Sequence, residues 1–132
     1  MKKFASMLIG TPQQIPFEQR IFHFAMLLSI VLTAVGAAQD IYYGGNIPVD
    51  ILFAGVWALV FYLSRFKGQF KAASRVGFAV FIFGFLPDQW IKCNGIAGGI
   101  SHYAVLFLAI VCIVLSGKQR MIMIAATWAS VL

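Results

Sequence analysis

The sequence predicts an all-α protein, a polytopic bundle of transmembrane helices whose N-terminus is cytoplasmic. Hydrophobic residues make up 61% of the 132 residues and charged residues only 11%, whereas a soluble domain is about 45–50% apolar and about 25% charged. A soluble domain of this size leaves too much surface in water to bury such an excess. The apolar residues also form runs long enough to cross a bilayer, with short basic connections between them.

The chain begins with a cytoplasmic tail, residues 1–19, and residues 20–132 form the transmembrane domain. The first apolar run, residues 21–38, has the length that spans a hydrocarbon core of roughly 30 Å at about 1.5 Å per residue. Residues 39–48 hold two glycines, an asparagine and a proline, which are typical of a turn. The second span covers residues 49–64.

Two further spans and a partial fifth follow. The third, residues 72–90, reaches spanning length only by including polar ends, and we expect Pro87 to end or kink it. The fourth covers residues 100–115. The last run, residues 121–132, measures only about 18 Å as a helix. We therefore expect the chain to stop inside an incomplete fifth helix and to be part of a longer protein; a short or re-entrant last helix is the alternative.

Basic residues predict the orientation of these helices. With the N-terminus inside, the tail with Arg20, the connection at residues 65–75 and the tight turn at residues 116–120 carry nine of the ten basic residues. The outer segments then hold Lys92 together with Asp40, Asp50 and Asp88. Cytoplasmic loops are enriched in Lys and Arg, so this distribution favours a cytoplasmic N-terminus. It also accounts for the net charge of +6 without nucleic acid as a partner.

The densest group of polar residues and glycines lies between the third and fourth spans, at residues 88–103. It offers a carboxylate, an indole, an amide, a histidine and exposed backbone beside apolar helix ends. Such a set suits a small amphipathic or lipid-like ligand, whereas a plain connection between two helices needs no ligand, and both interpretations stay open. The ligand-sensing candidates are Asp88, Trp90, Asn94, Gly95, Gly98, His102 and Tyr103.

The start of the first span holds three candidates for signal transmission, Glu18, Arg20 and His23. An acidic residue near a helix N-terminus meets the favourable end of the helix dipole. Capping and anchoring at the interface is therefore the alternative for Glu18 and Arg20. For His23 the alternative is packing between helices at the interface.

No constellation for catalysis stands out in the sequence. We find no nucleophile beside a base, no paired carboxylates on one face and no Cys/His spacing typical of a metal site. His23 and His102, the only histidines, fall in opposite leaflets of the predicted bundle, too far apart to ligate one haem. The sequence therefore predicts no enzyme, no cofactor and no metal.

Three short motifs follow one another along the chain. They read FEQRIFH at residues 17–23, YLSRFKG at residues 62–68, and WIKCNGIAG at residues 90–98 followed by Tyr103. They resemble the E-x-R-I-F opening, the Y-L-x-R-F after the second helix and the W-F-x-N-G-G-x-x-G…Y outer loop of one family. That family is the N-terminal multi-helix membrane sensor region of bacterial histidine kinases and diguanylate cyclases.

The resemblance implies a sensory input module in the bacterial inner membrane. It implies a homodimer of about six helices per chain, joined to a cytoplasmic output domain, a C-terminal kinase or cyclase domain to which any catalytic activity would belong. The residues of the loop at 88–103 add the expected stimulus, a small or lipid-like ligand, with the state of the bilayer as the other possibility. The lipid bilayer, a second copy and the output domain are the expected partners. The alternative is a subunit of a small oligomeric transporter or channel, against which the lack of ionisable residues at mid-membrane counts.

Overall fold

The described structure is helical throughout. The computed structural model describes residues 8–11, 13–92 and 100–131, with side chains at all of these except residues 43, 100–103, 130 and 131. Its elements are α1 (Phe17–Tyr43), α2 (Ile47–Arg65), α3 (Phe70–Val80), a π-helical turn (Phe81–Phe85), α4 (Leu86–Lys92), α5 (Ile100–Val114) and α6 (Gly117–Val131). No strand occurs in these described ranges, and the predicted all-α class is confirmed.

Among the described residues, three helical stretches are long and apolar enough to cross a membrane. They are Phe17–Tyr42, Ile47–Arg65 and Phe70–Lys92, of 26, 19 and 23 residues. The third stretch runs from α3 through the π-helical turn into α4. The apolar part of α5, Ala104–Val114, is shorter. Membrane helices are supported at this level, whereas four full spans, a partial fifth and the cytoplasmic N-terminus stay predictions.

Large apolar side chains are exposed along the candidate spans. Phe24, Val31 and Ile51 are between 55% and 63% exposed, and Phe83 is 69% exposed. In water, contiguous apolar surface of this kind marks an interaction site or drives association. In a bilayer it needs no protein cover, because lipid tails are themselves apolar.

Helix α1 runs beyond its predicted end at residue 38 to Tyr43. The turn predicted at residues 39–48 shrinks because Gly44 is the first residue to leave the helix. Gly44 has a left-handed backbone with φ 78°, which glycine adopts without the steric penalty of a side chain. The Gly45 N–H donates to the Asp40 carbonyl at 2.8 Å and closes the helix end. A glycine therefore ends this helix, and the polar residues before it do not.

The structure also corrects the basic turn predicted at residues 116–120. Only residues 115 and 116 connect α5 to α6, and Lys118 and Arg120 lie in the first turn of α6. The last helix thus begins earlier than the predicted residue 121. Arg120 Nε donates to the Leu115 carbonyl at 2.8 Å, which supplies one of the partners that helix C-termini lack. The arginine is a cap for the preceding helix as well as a charge.

The chain divides into two compact units, Met1–Ser74 and Arg75–Leu132. In the first unit, α1 and α2 pack side by side as an antiparallel hairpin, because only residues 44–46 join them. In the second unit, α4 packs on the π-helical turn, α5 and α6. The first core contains Phe22, Met26, Trp57, Val60 and Phe61, and the second contains Phe78, Ile82, Leu86, Phe107 and Val111.

The π-helical turn precedes Pro87. The Leu86 N–H donates to the Phe81 carbonyl, five residues back, where a regular α-helix bonds to the fourth residue back. Proline has no N–H, and its ring clashes with the carbonyl four residues earlier in a regular helix. The wider turn relieves that clash. Pro87 consequently distorts the helix but does not end it, since α4 continues beyond this residue.

Candidate functional site

A buried polar link joins three segments of the first unit. His23 in α1 is 1% exposed, and Ser64 in the last turn of α2 is 3% exposed. Nε2 of His23 lies 2.9 Å from Oγ of Ser64. The other ring nitrogen, Nδ1, lies 3.4 Å from the carbonyl oxygen of Ile9. One imidazole therefore connects α1 to α2 and to the residues before α1, which we call the N-terminal segment. We call His23, Ser64 and Ile9 the His23 link.

The Ile9 carbonyl determines which ring nitrogen carries a proton. A carbonyl oxygen only accepts hydrogen bonds, so Nδ1 of His23 must donate. In the neutral ring Nε2 is then an acceptor, and it accepts a hydrogen bond from the Ser64 hydroxyl. A buried acceptor left without its donor costs about 1–3 kcal/mol. Both partners of the imidazole thus contribute to holding the three segments together.

Aromatic rings surround the His23 link. Phe61 meets the imidazole edge-on with ring centroids 5.8 Å apart. The neighbouring Phe22 packs edge-on against Phe70, at the start of α3, with centroids 5.6 Å apart. Phe22 and Phe61 are themselves buried. Hydrogen bonds in such low-dielectric surroundings are electrostatically stronger than in water.

A compact turn brings Ile9 back against α1. Gly10 has φ 91°, a left-handed conformation that reverses the chain direction. The Thr11 carbonyl accepts hydrogen bonds from the N–H groups of Gln14 at 3.0 Å and Ile15 at 3.1 Å. The Ile15 side chain packs against Gly10 so closely that a Cβ there has no room. Local sequence therefore shapes this segment and places the Ile9 carbonyl at the link.

The other two candidates for signal transmission have different surroundings. Glu18 is exposed in the first turn of α1, where its charge meets the positive end of the helix dipole. Arg20 is half-buried, and its Nε makes no hydrogen bond within the described residues. Among the three, within the described part of the chain, His23 is the residue whose side chain bonds to other segments.

Sequence reasoning misses Ser64 and Ile9 as members of the site. Ser64 ends the predicted second span, where a lone serine is an ordinary helix-end residue. Ser64 lies inside the YLSRFKG stretch at residues 62–68, but at the variable position of the Y-L-x-R-F pattern, so the motif gives no signal for it. Ile9 contributes a backbone carbonyl, which no side-chain pattern can reveal.

The ligand-sensing candidates fall into three groups in the structure. Asp88 and Trp90 lie in α4, so the helix extends further into the expected loop. Asn94, Gly95 and Gly98 lie outside the described residues. His102 and Tyr103 lie in the first turn of α5, where the structure describes only the backbone.

The two described candidates in α4 have partners within the second unit. Oδ2 of Asp88 lies 3.2 Å from Nζ of Lys92, one turn later, and accepts a hydrogen bond from Gln89 Nε2 at 3.2 Å. Trp90 is half-buried and packs against Leu86 and Ala104. A partly exposed ion pair of this kind contributes roughly 0–1 kcal/mol. These contacts fit a plain helix end as well as the wall of a ligand site.

Asp50 lies at the start of the predicted second span, and its side chain is buried there. It is 3% exposed and lies in the first turn of α2, inside a candidate span. The helix dipole favours an acidic group at this position. Among the described residues, it is the one buried carboxylate within the candidate spans.

No family model, curated protein or solved structure matches the chain. The contacts of His23, the most connected buried polar side chain described above, are therefore the strongest guide to function.

Proposed function

We propose that the chain is a membrane-embedded sensory input module of a bacterial signal-transduction protein of the histidine kinase or diguanylate cyclase type. The hydrogen bonds that His23 accepts from Ser64 and donates to Ile9 carry the proposal. The stretches that carry two of the three family-like motifs, residues 17–23 and 62–68, meet at this link. His23 directly follows the E-x-R-I-F residues, and Ser64 occupies the variable position of Y-L-x-R-F.

The His23 link can convert a helix displacement into two discrete states. A hydrogen bond weakens steeply once its geometry is lost. A slide of α1 against α2 by one residue, about 1.5 Å, would break the 2.9 Å contact between His23 and Ser64. The imidazole would then be free to turn away from the Ile9 carbonyl and release the N-terminal segment. A stimulus that binds one of these states better shifts their populations.

The proposed setting follows the family that the motifs resemble. The module lies in the bacterial inner membrane with its N-terminus inside and acts as a homodimer. A small or lipid-like ligand at the loop after α4, or the bilayer itself, provides the stimulus. A cytoplasmic output domain changes its conformation when the helices move, and this domain has the catalytic activity.

Signalling output in the native cells tests this proposal. Ser64→Ala removes the hydroxyl of the His23 link. Its matched control, Ser29→Ala, removes a hydroxyl that donates to the Ala25 carbonyl of its own helix at 2.9 Å. We expect Ser64→Ala to change the basal level of phosphorylated response regulator or cyclic di-GMP about threefold or more. The control should match the wild type, and equal output from all three strains would refute the proposal.

Asp50 favours the second candidate function, a subunit of an oligomeric transporter or channel. Ionisable groups inside membrane segments commonly mark ion or substrate pathways, and Asp50 is a buried carboxylate in α2. Cation flux into proteoliposomes that contain the purified chain is the test. Flux that Asp50→Asn abolishes and Asp40→Asn leaves unchanged would support this function. If the cation flux equals that of protein-free liposomes, the transporter function is refuted and the sensory function is the one that remains.

A further inference from the structure

The connection between α2 and α3 exposes an aromatic ring among cations. Phe66, the first residue after α2, is 57% exposed. Lys67 and Lys71 are exposed on the same connection and the first turn of α3. The Arg65 guanidinium lies 6.0 Å from the centroid of the Phe66 ring, a favourable cation–π distance. All four residues belong to the first unit.

Backbone hydrogen bonds close this connection into a fixed turn. The Phe66 N–H donates to the Tyr62 carbonyl at 2.9 Å, and the Gln69 N–H donates to the Leu63 carbonyl at 3.1 Å. Gly68 makes the second bond possible with a left-handed φ of 67°. The side chains of the turn are thereby presented from a defined backbone, and less conformational entropy is lost when they bind a ligand.

The Phe66 ring is supported from inside the protein. It meets Phe61 edge-on with centroids 6.3 Å apart and Tyr62 at a tilt with centroids 5.6 Å apart. The rest of the ring is exposed at the end of a candidate span, Ile47–Arg65. A phenylalanine beside basic residues at the membrane surface lies at the boundary between headgroups and acyl chains, and nearby lysines are attracted to anionic lipid.

We infer that this turn is a binding site for anionic phospholipids. Lys67 and Lys71 contact the headgroup phosphate, and Phe66 contacts the first carbons of the acyl chains. A free phosphate ion would satisfy the lysines but would leave the exposed part of the Phe66 ring uncovered, whereas the acyl chains of a lipid cover it, so the lipid is the occupant. The site stands whether or not the chain is a sensor. Ser64 lies two residues before Phe66, so an occupied site adjoins the His23 link.

Native mass spectrometry of the purified chain in detergent tests this site. The probes are phosphatidylglycerol and phosphatidylcholine of the same acyl chains, titrated separately. We expect Lys67→Gln combined with Lys71→Gln to weaken phosphatidylglycerol binding roughly fivefold for each lysine removed, and phosphatidylcholine binding to stay unchanged. Lys118→Gln is the charge control, because Lys118 is an exposed lysine of the second unit.

Two further measurements distinguish the contribution of the Phe66 ring to binding from that of the phosphate. Phe66→Ala should weaken binding of both lipids, whereas Phe83→Ala, which removes an exposed ring within a span, should weaken neither. Inorganic phosphate at constant ionic strength should not displace phosphatidylglycerol, and displacement would overturn the lipid assignment. Binding by the double lysine variant within twofold of the wild type, or an equal loss in Lys118→Gln, would overturn the site.

Discussion

His23 is a buried imidazole with a hydrogen-bond partner at each nitrogen. Its partners differ in kind, because Ile9 offers a backbone carbonyl and Ser64 a hydroxyl that can reorient. The carbonyl sets the tautomer, and the hydroxyl adapts to it. Removing Ser64's oxygen therefore affects the whole link, although the substitution itself lies only in α2.

The hydrogen bond between His23 and Ser64 should contribute to the stability of the protein. Ser64→Ala leaves Nε2 of His23 without its donor, and we expect the free energy of unfolding in mixed micelles to fall by about 1 kcal/mol. Ser29→Ala should change it by less than about half of that. Denaturant titration followed by circular dichroism measures both variants. A loss in Ser29→Ala as large as that in Ser64→Ala would show that the link has no special contribution.

The role of a residue could be predicted from the sequence only where its side chain performs that role. His23 is a transmission candidate on sequence grounds, and the structure places it in contact with two other segments. Glu18 and Arg20 are transmission candidates on the same grounds, but the His23 link does not include them. Ile9 acts through its carbonyl, which depends on the left-handed Gly10, and such a chain reversal has no reliable side-chain signature.

Glycine and proline decide where the helical elements end or change. Gly44 ends α1 with φ 78° and Gly117 opens α6 with φ 60°. Pro87 produces a π-helical turn before it and leaves the helix continuous. The apolar runs predict where helices form, and among the described residues three helical stretches have the length of a bilayer span. Their bounds shift by several residues, since polar residues such as Asp40 are tolerated in a helix until a glycine permits the turn.

Two glycines with open surroundings give the second prediction. A Cβ added at Gly44 or at Gly55 meets nothing within 4 Å, so packing does not distinguish the two sites. Gly44 has φ 78°, and alanine there should lower the free energy of unfolding by about 1–2 kcal/mol. Gly55 lies inside α2, where alanine should raise stability by about 0.5–1 kcal/mol. Thermal unfolding in micelles compares them, and changes of the same sign would contradict the assignment.

At the scale of the whole molecule, the apolar helices predict which segments cross the membrane, and the basic connections predict on which side those segments end. The α1–α2 hairpin places the turn at residues 44–46 at one end and the connection after α2 at the other, together with the N-terminal segment. The positive charge predicts that the second end is cytoplasmic. Sequence composition is sufficient for the membrane class, but it cannot identify the stimulus.

Cysteine accessibility tests this orientation as the third prediction. Asn46→Cys and Lys67→Cys both lie at exposed positions of the first unit, in a background with Cys93→Ser and Cys112→Ser. A membrane-impermeant maleimide should label position 46 in intact spheroplasts and position 67 only after lysis, since the hairpin separates them by one span. The reverse order would invert the orientation, and labelling of both before lysis would exclude a spanning hairpin.

The coupling between α2 and the N-terminal segment is measured most directly by hydrogen exchange. The chain in lipid nanodiscs, as wild type, Ser64→Ala and Ser29→Ala, is followed at the amides of Gln14 and Ile15, which bond to the Thr11 carbonyl. If the imidazole transmits changes from α2 to this segment, Ser64→Ala accelerates their exchange about threefold to tenfold, and Ser29→Ala does not. Identical exchange in all three proteins would mean that the N-terminal segment is held independently of α2, which contradicts transmission through His23.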